Sequence, residues 1–148
     1  MFSAGVTKAG TGIDGIVWNI LGQTYVPKHL SDSSFAWHAT FPPGTFVPPH
    51  IHPTQDEFIY ILEGRFDLLL DGREQVATGG DFIRLPMNVA HGIFNKSDQV
   101  VKCLFWFHPH ASFTICFGPC TAYRSRPLKQ SPRWPRNTKW PSCHRLSD

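Results

Sequence analysis

The chain has 148 residues, with 14 Lys and Arg against 11 Asp and Glu, which is room for one ordinary domain with a single core. No run approaches the roughly 20 consecutive apolar residues of a membrane span, and the N-terminus lacks the basic-then-apolar order of a secretory signal. A cytoplasmic location without a membrane partner is therefore expected.

Residues 1–14 read as an N-terminal arm. From residue 15 to residue 110 the chain is a series of short apolar or alternating runs, at 16–26, 34–41, 46–51, 57–62, 66–70, 74–77, 81–85, 91–95 and 100–108. Turn residues separate them: Pro42-Pro43-Gly44, Glu63-Gly64, Asp71-Gly72, Gly79-Gly80, Pro86-Met87-Asn88 and Lys96-Ser97-Asp98. Asp71-Gly72 is the clearest hairpin, because both central positions tolerate positive φ. No well-capped amphipathic helix occurs before residue 110. Many short strands with no helices between them indicate an all-β antiparallel sandwich or barrel.

Residues 111–148 break the pattern. The first 110 residues hold 7 basic against 10 acidic residues, whereas the last 38 hold 7 against 1, so the net charge of +3 belongs to the tail. The tail also carries 5 Pro, 5 Arg and 3 Cys, with Trp134 and Trp140 isolated among them. Its basic, Trp-bearing character has the ingredients of nucleic-acid binding. Disorder or an out-of-frame translation product is the preferred reading, since codons shifted by one frame can encode an amphipathic helical segment. Cys116, Cys120, Cys143 and His144 have spacing too irregular for a structural zinc site. Without a secretory signal, no disulfide framework is expected.

His50, His52, Glu57 and His91 have the chemistry of one metal site. Two histidines one residue apart on an extended run point to the same face. A turn through Pro53-Thr54-Gln55-Asp56 can return Glu57 to them, and His91 follows a later turn. Three imidazoles and one carboxylate suit one divalent transition metal, Fe, Mn, Ni, Cu or Zn, rather than Ca or Mg. The bland alternative is four satisfied polar residues.

These residues lie inside two longer patterns. The first runs from Gly44 through His50-Ile51-His52 to Glu57 and Gly64, and the second from Gly80 through Pro86 and His91 to Asn95. Together they resemble the two motifs of the cupin superfamily, with one departure, Asn88 in place of Gly. Asn tolerates the left-handed conformation such a turn needs. The resemblance spans residues 44–95, extends over the barrel at 15–110, and is to small single-domain bacterial cupins of the quercetin dioxygenase-like kind. It implies a double-stranded β-helix, or jelly-roll, barrel, the ligand set His50, His52, Glu57 and His91, and a homodimer. It also implies dioxygenase-like oxidation of a small phenolic or enolisable substrate, with Fe, Mn, Ni or Cu favoured over Zn. Glu57 would be a ligand or, when detached, a catalytic base. The alternatives are a non-redox isomerase or polyketide cyclase on the same site, or a small-ligand-binding module without catalysis. Nucleic acid is not an expected partner.

Other polar residues carry less. Gln55 and Asp56 are candidates for orienting a ligand, or else solvated turn residues. Tyr25 and His38, beside Trp37, stand in runs where one face lines the barrel. Arg84 would meet an anionic substrate if it pointed inward, but an outward, solvated side chain is the expectation. His108 and His110 read as a surface strand end. Phe46, Phe58, Phe66, Phe82, Phe94, Phe105 and Phe107 are expected in the core.

Overall fold

The computed structural model describes residues 4–108. The readings of His110, of the Cys116, Cys120, Cys143 and His144 group and of the whole tail lie outside the described residues. After a 3-10 turn at Ile13–Gly15 come ten strands: β1 Trp18–Ile20, β2 Gln23–Leu30, β3 Phe35–Phe41, β4 Phe46–His50, β5 Asp56–Glu63, β6 Arg65–Leu70, β7 Arg73–Thr78, β8 Phe82–Leu85, β9 His91–Phe94 and β10 Val101–His108. They form a six-stranded sheet in the order β1-β2-β3-β10-β5-β8 and a four-stranded sheet in the order β4-β9-β6-β7. Every pairing is antiparallel. This is the all-β jelly roll expected from the sequence. Among the described residues no helix is long and apolar enough to cross a membrane.

The expected first run divides in two. Leu21 at φ +51° and Gly22 at φ +83° make a two-residue turn, and Trp18–Ile20 folds back on residues 23–25. The second piece then continues to Leu30, through Pro27. A proline is tolerated there because β1 has already ended on one side, and the pairing with β3 shifts register between Pro27 and His29. The Asp71-Gly72 hairpin forms as expected, with φ +48° and +75° at its centre.

Alternation sets the core. In β3 the inward row is Phe35, Trp37, Ala39 and Phe41, and in β10 it is Val101, Cys103, Phe105 and Phe107. Trp37 stacks on Phe105 and Phe107 at centroid distances of 5.6 and 5.0 Å. Phe41 meets Phe66 of the opposite sheet edge-on at 4.9 Å, so aromatic contact joins the two sheets. Gln23 Nε2 adds a polar tie, donating to the Phe46 carbonyl of β4 at 2.8 Å, while the Tyr25 hydroxyl donates to Gln23 Oε1.

Not every expected core phenylalanine is inside. Phe66, Phe105 and Phe107 are buried, Phe46, Phe58 and Phe94 are half-buried, and Phe82 is 44% exposed. Strand parity is the reason: Glu57 and Ile83 point inward, so Phe58, Phe82 and Arg84 point outward. Phe58, Phe82 and Trp106 touch one another on that outer face, with centroids 5.2 to 5.9 Å apart.

Two motif residues act on the fold alone. Gly64 has φ +88°, and a Cβ there would lie 2.9 Å from the Val100 carbonyl oxygen, so both conformation and packing require glycine. Asn95 is 1% exposed and fully engaged. Its Nδ2 donates to the carbonyls of Phe41 and Gln99 at 2.9 and 2.8 Å, and its Oδ1 accepts from Ser97 N and Oγ at 3.1 and 2.7 Å. Asn95→Ala is expected to cost roughly 2–4 kcal/mol, because buried carbonyls lose their donors. Urea unfolding measures it, and a loss below about 0.5 kcal/mol would contradict this account.

Candidate metal centre

The four candidate ligands arrive from both sheets at one end of the barrel. His50 ends β4 and His91 begins β9, and the two are directly paired in the four-stranded sheet. Glu57 holds an inward position in β5 of the six-stranded sheet, opposite Leu85 and Phe107. His52 stands on the connection between β4 and β5. The pair His50 and His52 thus meets without strand alternation, which is a correction to the sequence reading. The strand stops at His50, and the two rings stand at 88° with centroids 4.7 Å apart.

The distances are short. His50 Nε2 lies 3.0 Å from His52 Nε2, and Glu57 Oε2 lies 3.0 Å from His52 Nε2 and 3.2 Å from His91 Nε2. One ligand atom from each of the four lies within 4.8 Å of all the others, so the group can hold a metal ion. Backbone carbonyls select the nitrogen that faces the centre. His50 Nδ1 donates to the Pro48 carbonyl at 2.8 Å, and His91 Nδ1 to the Val89 carbonyl at 3.0 Å. In each neutral ring Nε2 then keeps its lone pair toward the common point. Converging lone pairs and one carboxylate fit a shared cation, and the nitrogen-rich set fits a transition metal.

The charges are strongly shaped by burial. Desolvation pushes the His50 imidazole down to about 4, against the pull of Glu57, so it is neutral at pH 7. Burial alone would raise the Glu57 carboxyl, but hydrogen bonds from His52 and His91 outweigh it and hold the group at about 2. Burial likewise works to lower His91, and the Glu57 carboxylate more than offsets it, leaving His91 raised. A proton and a cation therefore compete for His91 Nε2.

The remaining candidates separate cleanly. Phe107 packs edge-on against His52, with centroids 5.0 Å apart, forming an apolar wall beside the ligands. Tyr25 and Trp37 belong to the buried core, whereas His38 falls on the outward row of β3, away from the centre. Arg84 points outward, as expected, and His108 is an exposed strand end whose Nδ1 donates to the Ser33 carbonyl at 3.1 Å. Gln55 is buried, and Asp56 Oδ1 accepts from the Met87 N–H at 2.9 Å. Asn88 adopts φ +65°, the left-handed conformation at the position where the cupin pattern has Gly. Cys103 is buried and free, and burial pushes its thiol well above the usual range. Sequence reasoning missed the wall from Phe107 and the two carbonyls. The carbonyls had a signal, because each lies two residues before its histidine.

His52→Ala or His91→Ala is expected to reduce metal content sharply, and the double variant to abolish it. Elemental analysis checks this, and stoichiometric metal in the double variant would refute the assignment. Metal uptake is expected to weaken as pH falls, because Glu57 favours the protonated His91 imidazole and that proton competes with the ion for Nε2. Chelator competition at a series of pH values checks this, and an affinity that does not change with pH would contradict it.

Comparison with known proteins accords with this geometry. A family model described as a cupin domain matches residues 37–107. Polyketide synthase CurC of Streptomyces cyaneus is 30% identical over 79 residues, covering 53% of this chain and 51% of that protein. Pectin degradation protein KdgF of Dickeya dadantii is 26% identical over 90 residues, covering 60% of this chain and 82% of that protein. The chain spans about half the length of the three Streptomyces proteins it matches. An RmlC-like cupin from Shewanella frigidimarina superposes with a TM-score of 0.65 at 22% identity, over 74% of this chain and 95% of that one, a likeness of fold. With both motifs in place, the ligand set gathered at one end of the barrel and the family model matched across it, residues 37–107 of this chain form a cupin domain.

Proposed function

We propose that this cupin is a metal-dependent enzyme acting on a small enolisable or phenolic substrate. The observation that carries the reading is the convergence of His50, His52, Glu57 and His91 within 4.8 Å. Glu57 and His91 are buried, while His50 and His52 are only half-buried, so the centre faces solvent on the side of these two histidines. A substrate oxygen would approach from there. When bound by these donors, a divalent transition metal supplies Lewis-acid polarisation of that oxygen.

The residues divide the remaining work. Neutral His50, with its Nδ1 tied to Pro48, holds its nitrogen in place without competing for a proton. Glu57 is ionised at pH 7 and, when detached from the ion, can accept a proton from the carbon between two carbonyls, then return it to the product. Phe107 keeps water from the inner side of His52.

Two reactions use this arrangement. Dioxygenase-like oxidation is the one the sequence resemblance favours. Non-redox cyclisation or isomerisation needs only polarisation and proton transfer, and the likeness to a polyketide synthase protein favours it, with a polyketide-type carbonyl chain as the substrate class. We take the non-redox reaction as the leading reading. Protein loaded in turn with Zn, Fe, Mn, Ni and Cu is to be offered phenolic and 1,3-dicarbonyl compounds, with and without O2. Turnover that persists in anoxic buffer on the Zn form is the expected result. Consumption of O2 confined to the redox-active metals would replace the non-redox reading with oxygenation. Binding without turnover on every metal would leave a ligand-binding module.

A further inference from the structure

His52 is the one candidate ligand that no strand holds. β4 ends at His50, β5 begins at Asp56 and β9 begins at His91, so His52 lies on a five-residue connection with its side chain 22% exposed. Something outside regular pairing must fix it. Two hydrogen bonds between the motif loops do so. Asp56 Oδ1 accepts from the Met87 N–H at 2.9 Å, and the next N–H, of Asn88, donates to the His52 carbonyl at 2.8 Å. The turn at 86–89 closes on itself through Val89 N donating to the Pro86 carbonyl at 3.2 Å, and Val89 in turn offers its carbonyl to His91 Nδ1 at 3.0 Å.

We propose that Asp56 is a positioning residue for the metal centre, latching the turn before His91 onto the connection that carries His52. The proposal rests on the metal-centre reading above and adds a residue that donates nothing to the ion. The logic is geometric. Asp56 adjoins Glu57, so its backbone is fixed in β5, and its carboxylate transmits that fixed point across to Met87. The left-handed turn at Asn88, φ +65°, then aims the following N–H back at His52. One side chain thereby holds the relative placement of His52, Glu57 and His91. Orienting partners of metal ligands are commonly worth 10- to 100-fold in affinity.

The test measures Zn and Co(II) affinity by chelator competition, together with the Co(II) visible spectrum and the melting temperature of the metal-free protein. Asp56→Ala is expected to weaken metal roughly 10-fold or more and to change the Co(II) spectrum. Asp56→Asn keeps an acceptor oxygen and is expected to stay within about 3-fold of the parent with its spectrum unchanged. Glu63→Ala, which removes an exposed carboxylate from the far end of the same strand, is expected to change neither. If Asp56→Ala does not fold, Asn88→Val against Asn88→Gly replaces it, because valine resists positive φ and glycine does not. The expected result is weakened metal with valine only. Wild-type affinity in Asp56→Ala, or equal loss in Asp56→Asn and Asp56→Ala, would overturn the latch while leaving the metal centre intact. Failure of the unmodified protein to bind any transition metal would overturn the metal centre, and the latch with it.

Discussion

Glu57 occupies an inward position of β5 whose next inward neighbours are Ile59 and Ile61. A carboxylate there is expensive unless donors surround it, and His52 and His91 supply them at 3.0 and 3.2 Å. This constraint explains why the motif residues depend on one another. β5 lies in one sheet and His91 in the other, so closing the barrel and satisfying the Glu57 charge are one requirement. Removing either imidazole would leave a buried anion with half its partners, so substitutions at these positions are expected to act on folding as well as on metal.

The two ends of the barrel divide their duties. At one end β4 stops and β5 and β9 start, and the side chains that face inward there are ligands. At the other end Asn95 fills every one of its hydrogen bonds with carbonyls and a serine, and Gly64 admits the Val100–Val101 backbone. Both ends are written into the same two motifs. The motifs therefore encode a scaffold and a site together, and their presence does not by itself signify catalysis.

Much of this was legible beforehand. Turn chemistry at Asp71-Gly72 depends on residues near in sequence and formed as read, while the motif pattern rather than nearness singled out His50, His52, Glu57 and His91, which lie together. What failed depends on pairing partners. Phe82 and Phe58 look like core by composition, but the strand parity that puts Glu57 and Ile83 inside turns them out. The break at Leu21-Gly22 was hidden because Leu21 adopts positive φ, a rare choice for that residue. His52 kept its place in the site but not the reason given for it, since the hold on it comes from a turn some 35 residues away.

β8 is four residues long and, among the described residues, forms one edge of the six-stranded sheet, with Phe82 and Arg84 on its outer face. An edge strand offers unpaired backbone groups to any passing strand, and an aromatic side chain beside them adds adhesion. Brevity limits how many such bonds can form, and the Arg84 charge makes burying that edge against another molecule unfavourable. Arg84, expected outward and found there, thus bears on colloidal behaviour, its charge opposing edge-to-edge aggregation.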